Sequence, residues 1–93
     1  MRLNKKEVEV IKKIVSQNFT QPTIYLFGSR LDDSKKGGDI DLYVISKDKK
    51  DLLKKKIKAI SQLERLLFKP VDIVVHRDFS KTIEKEALKG VLL

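Results

Sequence analysis

Asp39 and Asp41 flank Ile40 at the start of the segment Asp39-Ile40-Asp41-Leu42-Tyr43-Val44-Ile45. Ile40, Leu42 and Val44 fall on one face of an extended chain, and Asp39, Asp41 and Tyr43 fall on the other. Aspartate is a poor strand former, and two of them on one face repel each other. A divalent cation explains the pattern, since residues i and i+2 lie roughly 6.5–7 Å apart and their carboxylates can turn onto shared ions. The competing explanation is a charged strand edge kept soluble. Asp72 adds weight to the metal reading by interrupting the apolar run Val71-Asp72-Ile73-Val74-Val75. An unpaired carboxylate is costly to bury there, although a basic neighbour would also satisfy it. Three carboxylates on two strands can bracket two ions about 3.5–4 Å apart and so promote attack on a phosphate.

Gly28-Ser29-Arg30 offers the complementary half of such a site. It follows the run Thr23-Ile24-Tyr25-Leu26-Phe27, which is β-branched and aromatic and predicts a strand. Glycine allows a sharp turn and close approach to a ligand. Successive N–H groups, the Ser29 hydroxyl and the Arg30 guanidinium can then hold phosphate oxygens. Taken alone, the same residues describe an ordinary turn with a solvated arginine.

The elements that must position these residues are legible in outline. Asn4-x-x-Glu7 has the form of a capping box. Val8, Ile11, Ile14, Val15 and Phe19 follow it, so a helix is predicted over about 4–18, ending before Pro22. Residues 31–38, with Asp32, Asp33, Ser34, Gly37 and Gly38, predict a loop. Asp48-x-x-Asp51 reads as a second cap. The stripe of Leu53, Ile57, Ile60, Leu63 and Leu67 then predicts a helix over about 49–68 that Pro70 ends. Val71 to Val75 predicts a third strand, and Ile83, Ala87 and Leu88 a last helix over about 80–90, with Gly90 disturbing its end. Phe19, Phe27 and Phe68 are core candidates, and Phe79 a cover for one end of the core. Tyr43 is expected to pack rather than to meet a ligand. His76, two strand positions beyond Val74, is expected on the same sheet face, exposed or locally hydrogen-bonded. The fold class expected is α/β (α+β): a small mixed sheet with helices packed on one face and the aspartates on the other.

Composition narrows the classes further. A chain of 93 residues is read as one domain, 1–93, which buries roughly 60–65% of its unfolded surface. With no cysteine, disulfides and thiolate metal sites are excluded. No apolar run reaches the roughly 20 residues of a membrane span, and the first residues lack a signal peptide's apolar stretch. A soluble, cytoplasmic protein is expected. The formal charge of +8, from 21 basic and 13 acidic residues, suits a polyanion, but most of the lysines sit where a helix would expose them.

Taken together, Gly28-Ser29, a gap of nine residues, Asp39-x-Asp41 on the next strand and Asp72 on a later one form a specific constellation. It resembles the DNA polymerase β superfamily of nucleotidyltransferases and, at this length, its minimal nucleotidyltransferases. The matching residues are Leu26-Phe27-Gly28-Ser29-Arg30, Gly37-Gly38-Asp39-Ile40-Asp41-Leu42 and Val71-Asp72-Ile73-Val74. Gly38 stands where many relatives carry serine, which removes a hydroxyl contact but no metal ligand.

The resemblance implies a palm-like nucleotidyltransferase fold and transfer of a nucleoside monophosphate, AMP from ATP, to an acceptor hydroxyl. Asp39 and Asp41 would bind two Mg²⁺ ions (Mn²⁺ a substitute), Asp72 would bind the catalytic one, and Gly28, Ser29 and Arg30 would hold the phosphates. It further implies an antitoxin whose partner is a HEPN-type toxin that supplies a tyrosine, within a homo- or hetero-oligomer. The alternatives are a module that neutralises a partner by contact alone, and a basic domain that binds nucleic acid.

Overall fold

The computed structural model describes residues 3–27, 40–76 and 90–93. Helix α1 (Lys5–Asn18) begins where the capping box places it. The Asn4 side chain accepts from the Glu7 N–H at 2.8 Å, and the Glu7 carboxylate accepts from the Asn4 N–H at 3.2 Å. Strand β1 (Thr23–Phe27), strand β2 (Ile40–Ile45), helix α2 (Leu52–Leu67) and strand β3 (Val71–Val75) follow. A two-residue strand, β4 (Val91–Leu92), completes a four-stranded sheet of order β3-β2-β1-β4. The β1–β2 and β1–β4 pairs are antiparallel, and β2–β3 is parallel, with α2 as the crossover.

Alternation along the strands separates two faces. Ile24, Leu26, Ile40, Leu42, Val44, Val71, Ile73 and Val75 are buried and form one cluster with Ile11, Ile14 and Val15 of α1 and Ala59 and Leu63 of α2. Both helices therefore cover the same face of a mixed sheet, as expected for this α+β class. Between them, the Asn18 amide donates to Gln62 Oε1 at 2.8 Å and to the Ile14 carbonyl at 2.9 Å.

Several expectations need correction. Helix α2 starts at Leu52, behind Asp51 in a left-handed conformation with no side-chain cap. Asp48 instead accepts from the Lys50 N–H at 2.9 Å, and its carbonyl accepts from the buried Ser46 hydroxyl at 2.8 Å. A local turn has captured the carboxylate that a cap would need. The buried face of α2 runs through Ala59 and Leu63, so Leu53 and Ile57 are about 60% exposed. Ala59, too small to count as a hydrophobic marker, lets the helix approach the sheet closely. Phe19 joins the core, Phe27 is half-buried on the other face, and Phe68 is 90% exposed. The predicted last helix and Phe79 lie outside the described residues, except for Gly90, and β4 was not foreseen.

Gly90 is fixed by close approach. A Cβ there would stand 2.2 Å from the Leu26 carbonyl oxygen and 3.0 Å from Phe27 Cβ. The clash is with backbone of a paired strand, so β4 would have to withdraw. Gly90→Ala is expected to cost about 1–3 kcal/mol in urea unfolding, with the loss concentrated in hydrogen-exchange protection of the β1–β4 edge.

Candidate active site

The face of the sheet opposite α1 and α2 carries the candidate residues. Across the ladder, Phe27 pairs with Asp41 and Asp41 with Asp72, making one row over β1, β2 and β3. Paired residues share a face, so the two carboxylates project side by side from adjacent strands, whose axes lie about 4.8 Å apart. Asp41 is half-buried and Asp72 exposed. Among the described residues, Asp72 has no hydrogen bond or ion pair, so the basic neighbour that would explain it structurally is missing there. Like charges directly opposite each other destabilise a sheet. A cation between them would reverse that sign.

Fold topology explains why these residues meet. Because β2 and β3 are parallel, Asp41 and Asp72 both stand one residue after the start of their strands. Because β1 is antiparallel to β2, its last residue, Phe27, reaches the same row. Gly28 is bonded to Phe27 and Asp39 to Ile40. Gly28, Ser29, Arg30 and Asp39 themselves lie outside the described residues. The described part of the sheet thus brings together two of the three predicted carboxylates, and among the described residues no group of three metal-ligating side chains occurs.

The next row, Tyr25–Tyr43–Val74, is packed. Tyr43 is fully buried, its ring centroid 6.3 Å from that of Tyr25 and 6.0 Å from that of His76. Its hydroxyl hydrogen-bonds His76 Nδ1 at 2.5 Å, and the His76 N–H donates to the Val44 carbonyl at 2.8 Å. Tyr43 therefore packs, and His76 is locally bonded and 7% exposed. The pair ties the middle of β2 to the end of β3, beginning one same-face row beyond the carboxylates. Tyr43→Phe should cost about 0.5–1.5 kcal/mol of stability by removing a buried hydrogen bond. Transfer per folded molecule, measured at a temperature where the variant is folded, should stay within about threefold.

Comparison with known proteins agrees with this geometry. The family model described as polymerase beta, nucleotidyltransferase matches residues 9–93. The chain belongs to that family. A search of curated proteins finds no match. Among solved structures, this nucleotidyltransferase is similar to a chain of the tri-AMPylated Shewanella oneidensis HEPN toxin in complex with MNT antitoxin. Identity is 26% and the TM-score 0.73, covering 95% of this chain and 68% of that one. It is equally similar to a chain of a toxin–antitoxin complex with AMP-PNP, at 26% identity and TM-score 0.74, covering 95% and 69%. The suspected kinship with minimal nucleotidyltransferases is thereby supported by fold and family together. No helix among the described residues is long and apolar enough to cross a membrane.

Proposed function

We propose that this nucleotidyltransferase moves AMP from ATP to a hydroxyl of a HEPN-type toxin and acts as its antitoxin. The observation that carries the proposal is the in-register pair Asp41–Asp72 on the face opposite the two helices, with Asp72 exposed and lacking a cationic partner among the described residues. The kinship to complexes that contain an AMPylated HEPN toxin and an ATP analogue supplies the substrate class.

Asp41 and Asp72, joined by Asp39, fit a hard divalent cation in donor chemistry: oxygen ligands only, on a frame held by a packed sheet. They would hold Mg²⁺, with Mn²⁺ a substitute, and when bound the metal neutralises triphosphate charge and favours ionisation of the acceptor hydroxyl. Gly28, Ser29 and Arg30, which follow directly on the strand end opposite Asp41, would hold the β- and γ-phosphates. The acceptor oxygen attacks the α-phosphorus as its proton passes to solvent water. A new oxygen–phosphorus bond forms, the bond to the bridging α–β oxygen breaks, and pyrophosphate departs. Asp41 and Asp72 contribute by position: the strands that carry them are packed on the core before the nucleotide arrives, so little ordering is left for the reaction.

The test is incubation of the protein with α-labelled ATP, Mg²⁺ and a HEPN-type toxin. Label on the toxin is expected, abolished by chelation and by the double variant Asp39→Asn, Asp41→Asn. Toxin neutralisation that survives in that variant without transfer would instead favour neutralisation by contact. Label that does not depend on the aspartates would refute the assignment.

A further inference from the structure

Lys54 is badly placed for the helix it belongs to. It lies in the first turn of α2, where free N–H groups make the helix end positive and an acid would be favourable. That turn holds no acidic residue, and Asp51 before it supplies no side-chain cap. Residues 47–58 carry seven of the chain's 21 basic residues and two of its 13 acidic ones. Local helix stability gives no reason for that concentration.

The exposed side of α2 sorts these charges into rows. Ala59 and Leu63 are buried, and Leu52, Ile60 and Leu67 pack partly against the core. Leu53 and Ile57, four residues apart, stay exposed and stand side by side. Lys54 and Lys58 each come one residue later and so about 100° further round the helix. They form a second exposed row, which Arg65 continues two turns on. Among the described residues, none of these three side chains has a hydrogen bond or ion pair. The acids nearby are engaged elsewhere: Asp48 lies 3.9 Å from Lys55, and Glu64 accepts from the Val71 N–H at 2.9 Å. Asp51 borders the face at its N-terminal end, in a cleft it shares with Lys49, Leu53 and His76.

We propose that this face docks an acidic amphipathic helix of a partner protein, with Leu53 and Ile57 against its apolar stripe and Lys54, Lys58 and Arg65 against a row of its carboxylates. An apolar patch bordered by charge marks an interaction surface, and charge complementarity selects the occupant. A helix repeats its side chains at three- and four-residue spacing, so one apolar row and one acidic row meet both rows here. A nucleic-acid strand would answer the cations and leave the two aliphatic side chains unmatched. A membrane surface needs a broader apolar face than two residues, and a second copy would set lysines against lysines. Helix α2 packs on the sheet face opposite the Asp41–Asp72 row. The occupant therefore leaves that row open, and the inference does not depend on the proposed reaction.

The probe is a synthetic helical peptide of about 20 residues, with leucine at i, i+3, i+4 and i+7 bordered by glutamate, titrated by fluorescence anisotropy. A counterpart carries lysine in place of each glutamate. Wild type should bind the acidic peptide at least about tenfold more tightly than the counterpart. Leu53→Ala with Ile57→Ala should weaken that binding at least about tenfold. Lys54→Glu with Lys58→Glu should reverse the preference between the two peptides, while the new acid in the first turn keeps the melting temperature at or above that of wild type. Urea unfolding checks that each variant is folded. No binding of the acidic peptide by wild type, or equal binding by all three proteins, overturns the proposal. Tighter binding of oligouridine or of phosphatidylglycerol vesicles than of the peptide, dependent on the lysines and indifferent to Leu53 and Ile57, does so too. A wild-type dimer that the double alanine variant converts to monomer would assign the face to a second copy and overturn it as well.

Discussion

Asp72→Asn should lower AMP transfer by about 10³-fold and, in metal-free buffer, slightly raise the melting temperature. The two halves of that result have one origin. Asp72 stands directly across the ladder from Asp41 on the same face, so in the apo protein the two charges repel and the amide relieves them. A like-charged cross-strand pair is worth a few tenths of a kcal/mol once solvent screening of the exposed Asp72 is allowed for. In a domain of this size that is a rise of about 1–4 °C. With a metal and triphosphate present the sign reverses, because a neutral amide is a poorer ligand. Loss of about 4 kcal/mol of transition-state stabilisation gives the thousandfold decrease. Melting curves with and without Mg²⁺ and ATP, beside a labelling assay, check both halves. A variant that melts lower in metal-free buffer would mean that Asp72 is a structural acid.

Leu42→Ala should have the largest effect on the fold. Leu42 is fully buried in the middle of β2, flanked by Asp41 and Tyr43 in sequence and paired with Leu26 and Ile73 across both neighbouring strands. Truncation there costs about 2–5 kcal/mol in transfer and cavity terms. A domain of 93 residues has only about 5–14 kcal/mol in total. The urea midpoint should therefore fall by about 2 M or more, and transfer should vanish at temperatures the wild type tolerates. Leu53→Ala is the natural control. The sequence pattern placed Leu53 on the buried stripe, but it is exposed, and its substitution should stay within about 0.5 kcal/mol.

That contrast between Leu42 and Leu53 marks where sequence reading succeeds and fails. The bounds of β1 and β3 were legible because Gly28 follows one and Pro70 precedes the other, while the residues within are β-branched or aromatic. The start of α1 was legible because a capping box satisfies specific N–H groups within four residues. Asp41 and Asp72 could be assigned to one face from alternation alone. Their direct register could not, because it depends on how α2 returns the chain beside β2. On α2, Ile60, Leu63 and Leu67 of the predicted stripe do face the core, whereas Leu53 and Ile57 do not, and only contact with the sheet shows that Ala59 faces inward. Phe68 is assigned to the core on hydrophobicity, whereas its left-handed backbone at the end of α2 leaves the ring 90% exposed. The strand β4 has only two residues, too few for any period, and exists through its pairing with β1.

The carboxylate row sits where two strands begin and one ends, at the boundary between the packed sheet and the segments that join its strands. On the proposed reading, chemistry and selectivity are separated along the chain. Substitutions or insertions in the segments entering β2 and β3 can alter what the enzyme accepts while the buried layer beneath Asp41 and Asp72 stays unchanged. Such a layout lets one small scaffold be retargeted to new acceptors with little penalty in folding.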